Sequence, residues 1–587
     1  MTSPPSTLPD RLLARAQATP ECAAWFHLDA SEAWQTSSWK SVAEQVGTLA
    51  TSLARLGLQR GDHVAIMLPS SPQWDCCQHA VLACGAVVVG LDAHDAHGTL
   101  QHILSVSRPR AIIATSAETL ITLQGLYQEA DILIHARGAP HTGQHSLASL
   151  MEPQPGAPPA PNQARPDDTA TIVFTSGSTG LPKGIPYSHR QLLLACDALA
   201  THFPTIRQDA RMVCWLPLAN LFQRILNMFS LSYGARTYFV EQPDQIIRWL
   251  PEIKPTLFVG VPRFFEKLHA NIVAELERAP PPARLIAYTA WRIGERIATA
   301  KRNGLPPHLR DRLLAPLASR VLTRLRSLMG ADLQFMASGS APLPVWLMER
   351  FHGLGWLVLE AYGVSENVIP IAINTPKAYR FGSVGRTLPG NELVIADDHE
   401  LLVRGPGVSS SYIGHSPASP PCDQIGFLHT GDFARIDEDG FVWLEGRKSE
   451  VFKTSTGRRI APVPIEASLK KIPLVEHAII VGRDRPYPVA ILCVSPQHPV
   501  ALQCGGSGAL EQLRTAVVAS CAELAGYQRP GAVIVSTHAL STARGELTAN
   551  LKLRRSVIET HFSAQIETAY RASSDKQAAS PFILTDL

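Results

Sequence analysis

None of the ten cysteines stands in a C-x-x-C pair, and most lie in apolar runs. A dithiol redox motif and a thiolate zinc knuckle are therefore not indicated, and reduced, buried thiols are expected. Cysteines and the 21 histidines together show no metal-ligand spacing. No Gly-x-Ser-x-Gly elbow occurs, which argues against a serine hydrolase. The longest apolar run, around Ala80 to Leu91, is too short to span a bilayer. Met1 to Asp10 lacks the basic start and apolar stretch of a secretory signal. Charge is nearly balanced, 53 basic against 50 acidic residues, and does not call for a nucleic-acid partner. These absences point to a cytosolic chain, with contact to a membrane surface left open.

What is present suits a folded protein: 45% of residues are hydrophobic and 18% charged. At 587 residues at least two domains are expected. Ser41 to Glu44 reads as a capping box that opens an amphipathic helix, with apolar residues at 42, 46, 49, 50, 53 and 56 and an end at Gly57. Strands are expected at Asp62–Leu68, Ala86–Leu91, Ala111–Thr115, Ile132–His135 and Ala170–Phe174, with a helix at Trp74–Ala83. The alternation predicts an α/β fold with mostly parallel sheets. Met151 to Asp168, rich in proline, reads as a linker or surface loop. Residues 264–330 read as helices with a charged, arginine-rich surface. After Gly446 the pattern becomes that of a smaller α+β domain, with strands at Ala478–Val481 and Val489–Val494 and a helix at Leu510–Leu524. From Ser573 on, a loose tail is expected.

The most informative stretch is Thr175-Ser176-Gly177-Ser178-Thr179-Gly180-Leu181-Pro182-Lys183-Gly184, directly after the Ala170–Phe174 strand. Glycines let the backbone approach a ligand closely, and successive N–H groups and hydroxyls can cradle phosphate oxygens. Lys183 adds a cation. The loop is not a Walker A, because Pro182 replaces its second glycine and no Ser/Thr follows the lysine.

This loop resembles the signature of the adenylate-forming superfamily, which comprises acyl-CoA synthetases, luciferases and adenylation domains. Further motifs follow in the same order, over roughly residues 37–562. Gly339-Ser340-Ala341-Pro342-Leu343-Pro344 is similar to a segment that lines the adenine and acyl pockets. Glu360-Ala361-Tyr362-Gly363-Val364-Ser365-Glu366 resembles the Tyr-Gly-x-Thr/Ser-Glu motif. The resemblance implies that Tyr362 stacks near adenine, Ser365 touches the α-phosphate and Glu366 binds Mg²⁺, with the Thr175 hydroxyl as a second metal contact. Thr430-Gly431-Asp432 resembles a motif whose aspartate holds the ribose hydroxyls. Arg447 matches an arginine that contacts ribose and phosphate, Lys453 and Gly457 match the loop used for thioester formation, and Lys552 matches the catalytic lysine.

The resemblance thus implies an adenylation domain over 1–446, a hinged mobile domain over 447–572 and a tail over 573–587. Its implied substrates and cofactors are ATP, Mg²⁺, a carboxylic acid and CoA. Leu216 to Arg224, Val259 to Lys267 and Thr548 to Arg555 are most similar to long-chain fatty acyl-CoA synthetases. Trp215, Asn220, Phe222 and Val259 are then acyl-site candidates, each also readable as core. Three departures stand out. Asn220 replaces the usual histidine, Gln223 the usual glutamate, and Ser449 the usual Asp or Lys of the hinge. They leave three readings open: a fatty acyl-CoA synthetase, a ligase that hands the acyl group to a carrier protein or other acceptor, and a nucleotide- or acyl-binding relative without turnover.

Overall fold

The protein is described by a computed structural model for residues 6–139, 141–153, 162–175, 181–414, 422–494, 507–541, 544–547, 553–574 and 582–585, with backbone alone at 507–510, 572–574 and 582–585. The chain divides into two compact units. The larger comprises residues 1–394, 402–429 and 437–442; the smaller comprises 395–401, 430–436 and 443–587.

The larger unit is built on parallel sheets, as the alternating pattern predicts. One has seven strands, in the order His145–Ser146, Ile132–Arg137, Ala111–Ser116, His63–Met67, Val87–Gly90, Thr169–Phe174 and Gly184–Ser188. All pairs are parallel except the last, a hairpin in register Phe174↔Gly184. Alternate side chains leave the sheet on opposite faces. Val64, Ile66, Val88, Ile113 and Ile134 enter one core, while Ala65, Met67, Val89, Ile112 and Leu133 enter another. Both faces are apolar, so helices cover both, as parallel sheets require. A second parallel set, Leu257–Gly260, Phe335–Ser338 and Val358–Tyr362, continues antiparallel through Ala372–Ile373 and Gly385–Thr387. A four-stranded sheet joins Arg211–Cys214, Arg236–Phe239, Ala23–Leu28 and Trp34–Ser38.

The expected amphipathic helix is present as Trp39–Arg55, and Val42, Val46, Leu49, Ala50 and Leu53 are buried along it. Its cap differs from the sequence reading. Ser38, not Ser41, accepts the N–H of Ser41, and the Ser41 hydroxyl instead takes a hydrogen bond from Gln45. Trp39, completely buried, pulls the start of the helix three residues upstream. The described cysteines are free thiols, most of them buried.

The smaller unit holds a sheet in the order Val475–Val481, Val489–Val494, Ala532–Ser536 and Phe582–Thr585. It too buries both faces, with Ile480, Leu492 and Val533 on one and Ile479, Ile491 and Ile534 on the other. Its helix covers Ser507–Ser520, somewhat earlier than the expected Leu510–Leu524. In the stretch read as a loose tail, the apolar run Phe582–Thr585 pairs in parallel with Val533–Ser536.

Candidate active site

Ligands of open parallel sheets bind beyond the carboxyl ends of the strands. In the larger unit those ends carry the residues singled out by sequence: Thr175 after Phe174, Gly339 after Ser338, and Tyr362 with Gly363 at the end of Val358–Tyr362.

Loop 175–183 closes the hairpin between its two strands. The Thr175 N–H donates to the Lys183 carbonyl at 3.0 Å, and the Lys183 N–H donates to the Thr175 hydroxyl at 3.3 Å. Ser176, Gly177, Ser178, Thr179 and Gly180 lie outside the described residues. The base of the loop is pinned from a distant segment: the Ile413 N–H donates to the Gly184 carbonyl at 2.8 Å. A Cβ on Gly184 would fall 2.4 Å from the Ile413 side chain, so only glycine permits the contact.

From that segment Tyr412 reaches the site. Its hydroxyl donates to Glu366 Oε1 at 3.2 Å, and Lys183 Nζ lies 4.8 Å from the centre of its ring. The Ser409 N–H donates to the Glu366 carbonyl at 2.9 Å, and the Tyr187 hydroxyl donates to the carbonyl of Ser365. Burial and the nearby Glu366 charge hold both phenols neutral, well above the usual tyrosine value. Thr175 is thus tied to Lys183, Lys183 to the Tyr412 ring and Tyr412 to the half-buried Glu366 carboxylate, while Tyr187 holds the carbonyl of Ser365 beside it in sequence.

The acyl-site candidates form a second, apolar neighbourhood. Trp215 Nε1 donates to the Val259 carbonyl at 2.9 Å, and its ring stacks on Phe258. The Gly339 N–H donates to the Gly260 carbonyl at 3.2 Å, and a Cβ on Gly339 would meet the Phe222 ring at 3.2 Å. Asn220 stands at the N-cap position of the helix Leu221–Tyr233 without a side-chain capping bond, and Ala219 beside it is packed so closely on Gly90 that a Cβ on Gly90 would fall 2.7 Å from the Ala219 Cα. Below Gly339, Glu360 accepts the Leu343 N–H at 2.9 Å, and burial pushes its carboxyl up to about 7.

The Gln223 departure has a structural account. Its amide accepts the Leu216 N–H at 3.3 Å and donates to Asn227 Oδ1 at 3.0 Å, and Asn227 in turn donates to Asp75 Oδ2 at 2.8 Å. Burial raises the Asp75 carboxyl to about 7 and lowers the neighbouring Arg224 to about 9. A neutral amide supplies the donor that this relay needs, which an ionised carboxylate lacks.

In the smaller unit the remaining candidates form a separate polar group. Asp432, 4% exposed, accepts from Arg447 Nε at 3.2 Å. Lys448 binds Asp398 at 2.7 Å and Glu400 at 2.9 Å, and Glu400 also accepts the Gly431 N–H. Lys453, exposed, ends the strand Phe452–Lys453, and Gly457 lies on the exposed turn that leads to Arg459–Ile460, where it takes a positive φ of 80°. Ser449 is exposed, while its neighbour Lys448 makes the ion pairs at this turn.

Lys552 lies outside the described residues, but both flanks of its segment are described. Leu547 and Leu553 form an antiparallel bridge, and the Arg554 N–H donates to the Glu546 carbonyl at 2.8 Å. Arg555 makes a bidentate pair with Glu466 at 2.6 and 2.7 Å. The Glu546 carboxylate, fully buried, meets His561, His538 and the Ser541 N–H at 2.9, 3.1 and 3.0 Å. Sequence reading missed Tyr412 and Glu400, isolated side chains whose partners are remote or unpatterned, and it gave no role to Glu466 and Glu546, which lie within segments matched to the family pattern.

Burial pushes the Glu546 pKa upward, but the hydrogen bonds from His561, Ser541 and His538 outweigh it and hold the carboxyl below its ordinary value. A carboxyl depressed in the folded state stabilises the fold above its unfolded pKa, and that contribution is lost as pH falls through the folded value. Glu546→Gln is therefore expected to cost about 2 kcal/mol at neutral pH, where it removes charge-assisted bonds. The loss should shrink between roughly pH 5 and pH 3. Thermal melts of both proteins across that range check it; curves that stay parallel would exclude the assignment.

Comparison with known proteins bears on the family and the fold. The AMP-binding enzyme family matches residues 12–413, and the AMP-binding enzyme C-terminal domain matches residues 450–574. The long-chain-fatty-acid–CoA ligase FadD15 of Mycobacterium bovis is 30% identical over 92% of this chain and 92% of its own. The anthranilate CoA ligase AuaEII, solved with anthranoyl-AMP, superposes with a TM-score of 0.74 at 21% identity, covering 96% of this chain and 99% of its own. The o-succinylbenzoate CoA synthetase MenE of Bacillus subtilis, solved with ATP and magnesium, gives 0.68 at 21% identity over 93% and 98%.

Proposed function

The chain belongs to the AMP-binding enzymes, and on that premise we propose that it activates a long-chain fatty acid with ATP. The first step yields acyl-adenylate and pyrophosphate, and the second yields acyl-CoA and AMP. The observation that carries the proposal is the Glu366 carboxylate, oriented by Tyr412 beside Lys183 and Thr175. The fatty acid is suggested by the full-length similarity to FadD15, named as a long-chain ligase.

The chemistry explains the choice of groups. A carboxylate attacks the α-phosphate, and both are anionic, so the barrier falls mainly through charge neutralisation and positioning. Glu366 fits a hard cation: it is a half-buried carboxylate fixed by a neutral phenol, and a single protein carboxylate plus phosphate oxygens suits Mg²⁺. Bound with ATP, Mg²⁺ supplies neutralisation of the phosphate charge. In this reading Glu366 and Thr175 hold the ion, and Lys183 with the 176–180 segment holds the departing pyrophosphate. Gly339, Tyr362 and Gly363 border the adenine, Ser365 the α-phosphate, and Asp432 with Arg447 the ribose. Lys552 bridges the carboxylate and α-phosphate oxygens. In the second step a C-terminal domain, proposed as residues 447–572, turns about 447–450. It withdraws Lys552 and presents the Lys453–Gly457 loop to the thiol of CoA. Trp215, Asn220 and Val259 border the acyl chain. A second reading, transfer to a carrier-protein thiol, is motivated by Ser449 at the hinge.

Pyrophosphate release with ATP·Mg²⁺ is measured across long-chain, aryl and short acids, with and without CoA. Release with long-chain acids, and acyl-CoA only when CoA is added, is expected. Adenylate without acyl-CoA would favour the carrier protein, and no turnover with any acid would defeat the enzymatic reading. Lys552→Ala should slow adenylation by roughly 10²–10³ while sparing thiolysis of preformed acyl-adenylate. Equal loss of both steps would exclude the two-state scheme. Asn220→His should shift the chain-length profile with ATP affinity unchanged, and an unaltered profile would remove Asn220 from the acyl site.

A further inference from the structure

The helical segment that sequence reading took for a charged surface is not uniformly charged. Two helices, Pro281–Arg302 and Leu309–Arg326, are held together by Arg296, whose guanidinium makes two hydrogen bonds to Asp311 at 2.9 and 2.6 Å. The first is seated firmly on the helix Val345–Leu354. Gly294 meets the Gly353 carbonyl so closely that a Cβ would lie 2.0 Å from its oxygen, and Trp291 Nε1 donates to the Arg350 carbonyl at 2.8 Å. The second helix buries Ala318, Leu322 and Leu325. Its other side presents Leu309, Leu313 and Leu317 at 71, 72 and 62% exposure, preceded by Leu305 at 60%. Spaced by four, these leucines form one stripe along the helix.

Arginines border and extend the stripe. Arg310 and Arg312 project to either side of it, and Arg320 continues its line toward the C-terminus. All three are exposed, and none makes an ion pair among the described residues. The one acid of this helix, Asp311, is turned inward and neutralised by Arg296. Residues 281–326 contain ten basic residues and only two acidic ones, Glu295 and Asp311, in a chain whose total charge is +3. Glu295 is itself bound by Arg350 at 2.9 Å. The face therefore combines exposed apolar side chains with unneutralised positive charge on a rigid platform.

We propose that the Leu309–Arg326 helix docks on an anionic lipid bilayer, with Leu309, Leu313 and Leu317 entering the headgroup boundary and Arg310, Arg312 and Arg320 meeting lipid phosphates. Leucines flanked by arginines suit an interface that is apolar below and negative above. A protein partner would need matching carboxylates around an apolar groove. A nucleic acid would match the arginines but leave the leucines exposed, since no aromatic side chain on this stripe offers a stacking surface. The assignment does not depend on the acyl substrate proposed above.

The test is flotation of the full-length protein with phosphatidylcholine vesicles, with and without phosphatidylglycerol. Wild-type protein is expected to bind the anionic vesicles and to release as salt rises. Two triple variants, Leu309→Gln/Leu313→Gln/Leu317→Gln and Arg310→Gln/Arg312→Gln/Arg320→Gln, should each bind about tenfold more weakly or worse, with thermal melts retained. Should a triple variant fail to fold, the single changes Leu313→Gln and Arg312→Gln carry the same expectation with a smaller loss. Absence of wild-type binding, or binding unchanged in both classes of variant, overturns the proposal. A wild-type dimer that dissociates on the leucine changes, with no vesicle binding, also overturns it and assigns the face to a second copy. Binding of duplex DNA that displaces the vesicles and is equal in the leucine variant overturns it as well.

Discussion

Three segments far apart in sequence meet at the Glu366 carboxylate, and the arrangement of the candidate site in the larger unit depends on that meeting. The loop base at 175 and 183, the turn at 365–366 and the segment 409–413 share a few backbone hydrogen bonds, one phenol and one lysine. No single bond there is strong, since each is worth on the order of 1 kcal/mol net. Their effect is geometric: the Tyr412 hydroxyl bonds the carboxylate while the Lys183 ammonium lies 4.8 Å from the centre of its ring, and the two charges make no ion pair among the described residues. Had Lys183 closed on Glu366, both charges would be spent on one another. The phenol keeps the carboxylate oriented and leaves the ammonium for an anion.

A similar economy appears deeper in the larger unit. Arg224 is completely buried, bonded to Gln78 and Thr171 and facing the Trp74 ring, with Asp75 nearby as its counter-charge. Buried charges are tolerated when hydrogen bonds satisfy them. Here Gln78 and Thr171 accept from Arg224, whose Nη2 has no hydrogen-bond partner among the described residues, and Asn227 donates to Asp75. Gln223, bonded to Asn227, Leu216 and Val213, fixes the strand end that carries Trp215. A substitution that looks functional when read as a motif thus serves the architecture beneath the motif.

The sheet framework was legible in the sequence because its strands are short apolar runs separated by helical periods. Val64 to Met67, Ala111 to Ala114 and Ile132 to Ile134 could be little else in an α/β chain. The motif-bearing turns were legible too, because glycine, proline and paired Ser/Glu cluster there. Helix boundaries were less so. Trp39 shifted a start by burial, a tertiary effect that no local capping pattern encodes. Tyr412, and the histidine partners of Glu546, were invisible for a different reason: a lone tyrosine in a serine-rich loop, or a glutamate eight residues from a histidine, has no distinctive spacing until the chain is folded. The stretch 264–330 was read as a charged helical surface from its arginines, and only the fold shows Leu309, Leu313 and Leu317 facing outward among them.

The concentration of basic residues between 281 and 326 leaves the rest of the larger unit net negative. Opposite charge gathered on different parts of one unit gives that unit an electric moment, and an electric moment feels a torque in any external field before contact is made. Within a Debye length, about 8 Å at physiological ionic strength, a charged boundary turns such a body as well as attracting it. The orientation at arrival is then selected by long-range physics and costs the short-range contacts nothing to establish. Diluting the salt lengthens the reach of that selection, so the fraction of productive encounters, and not only their number, becomes a function of ionic strength.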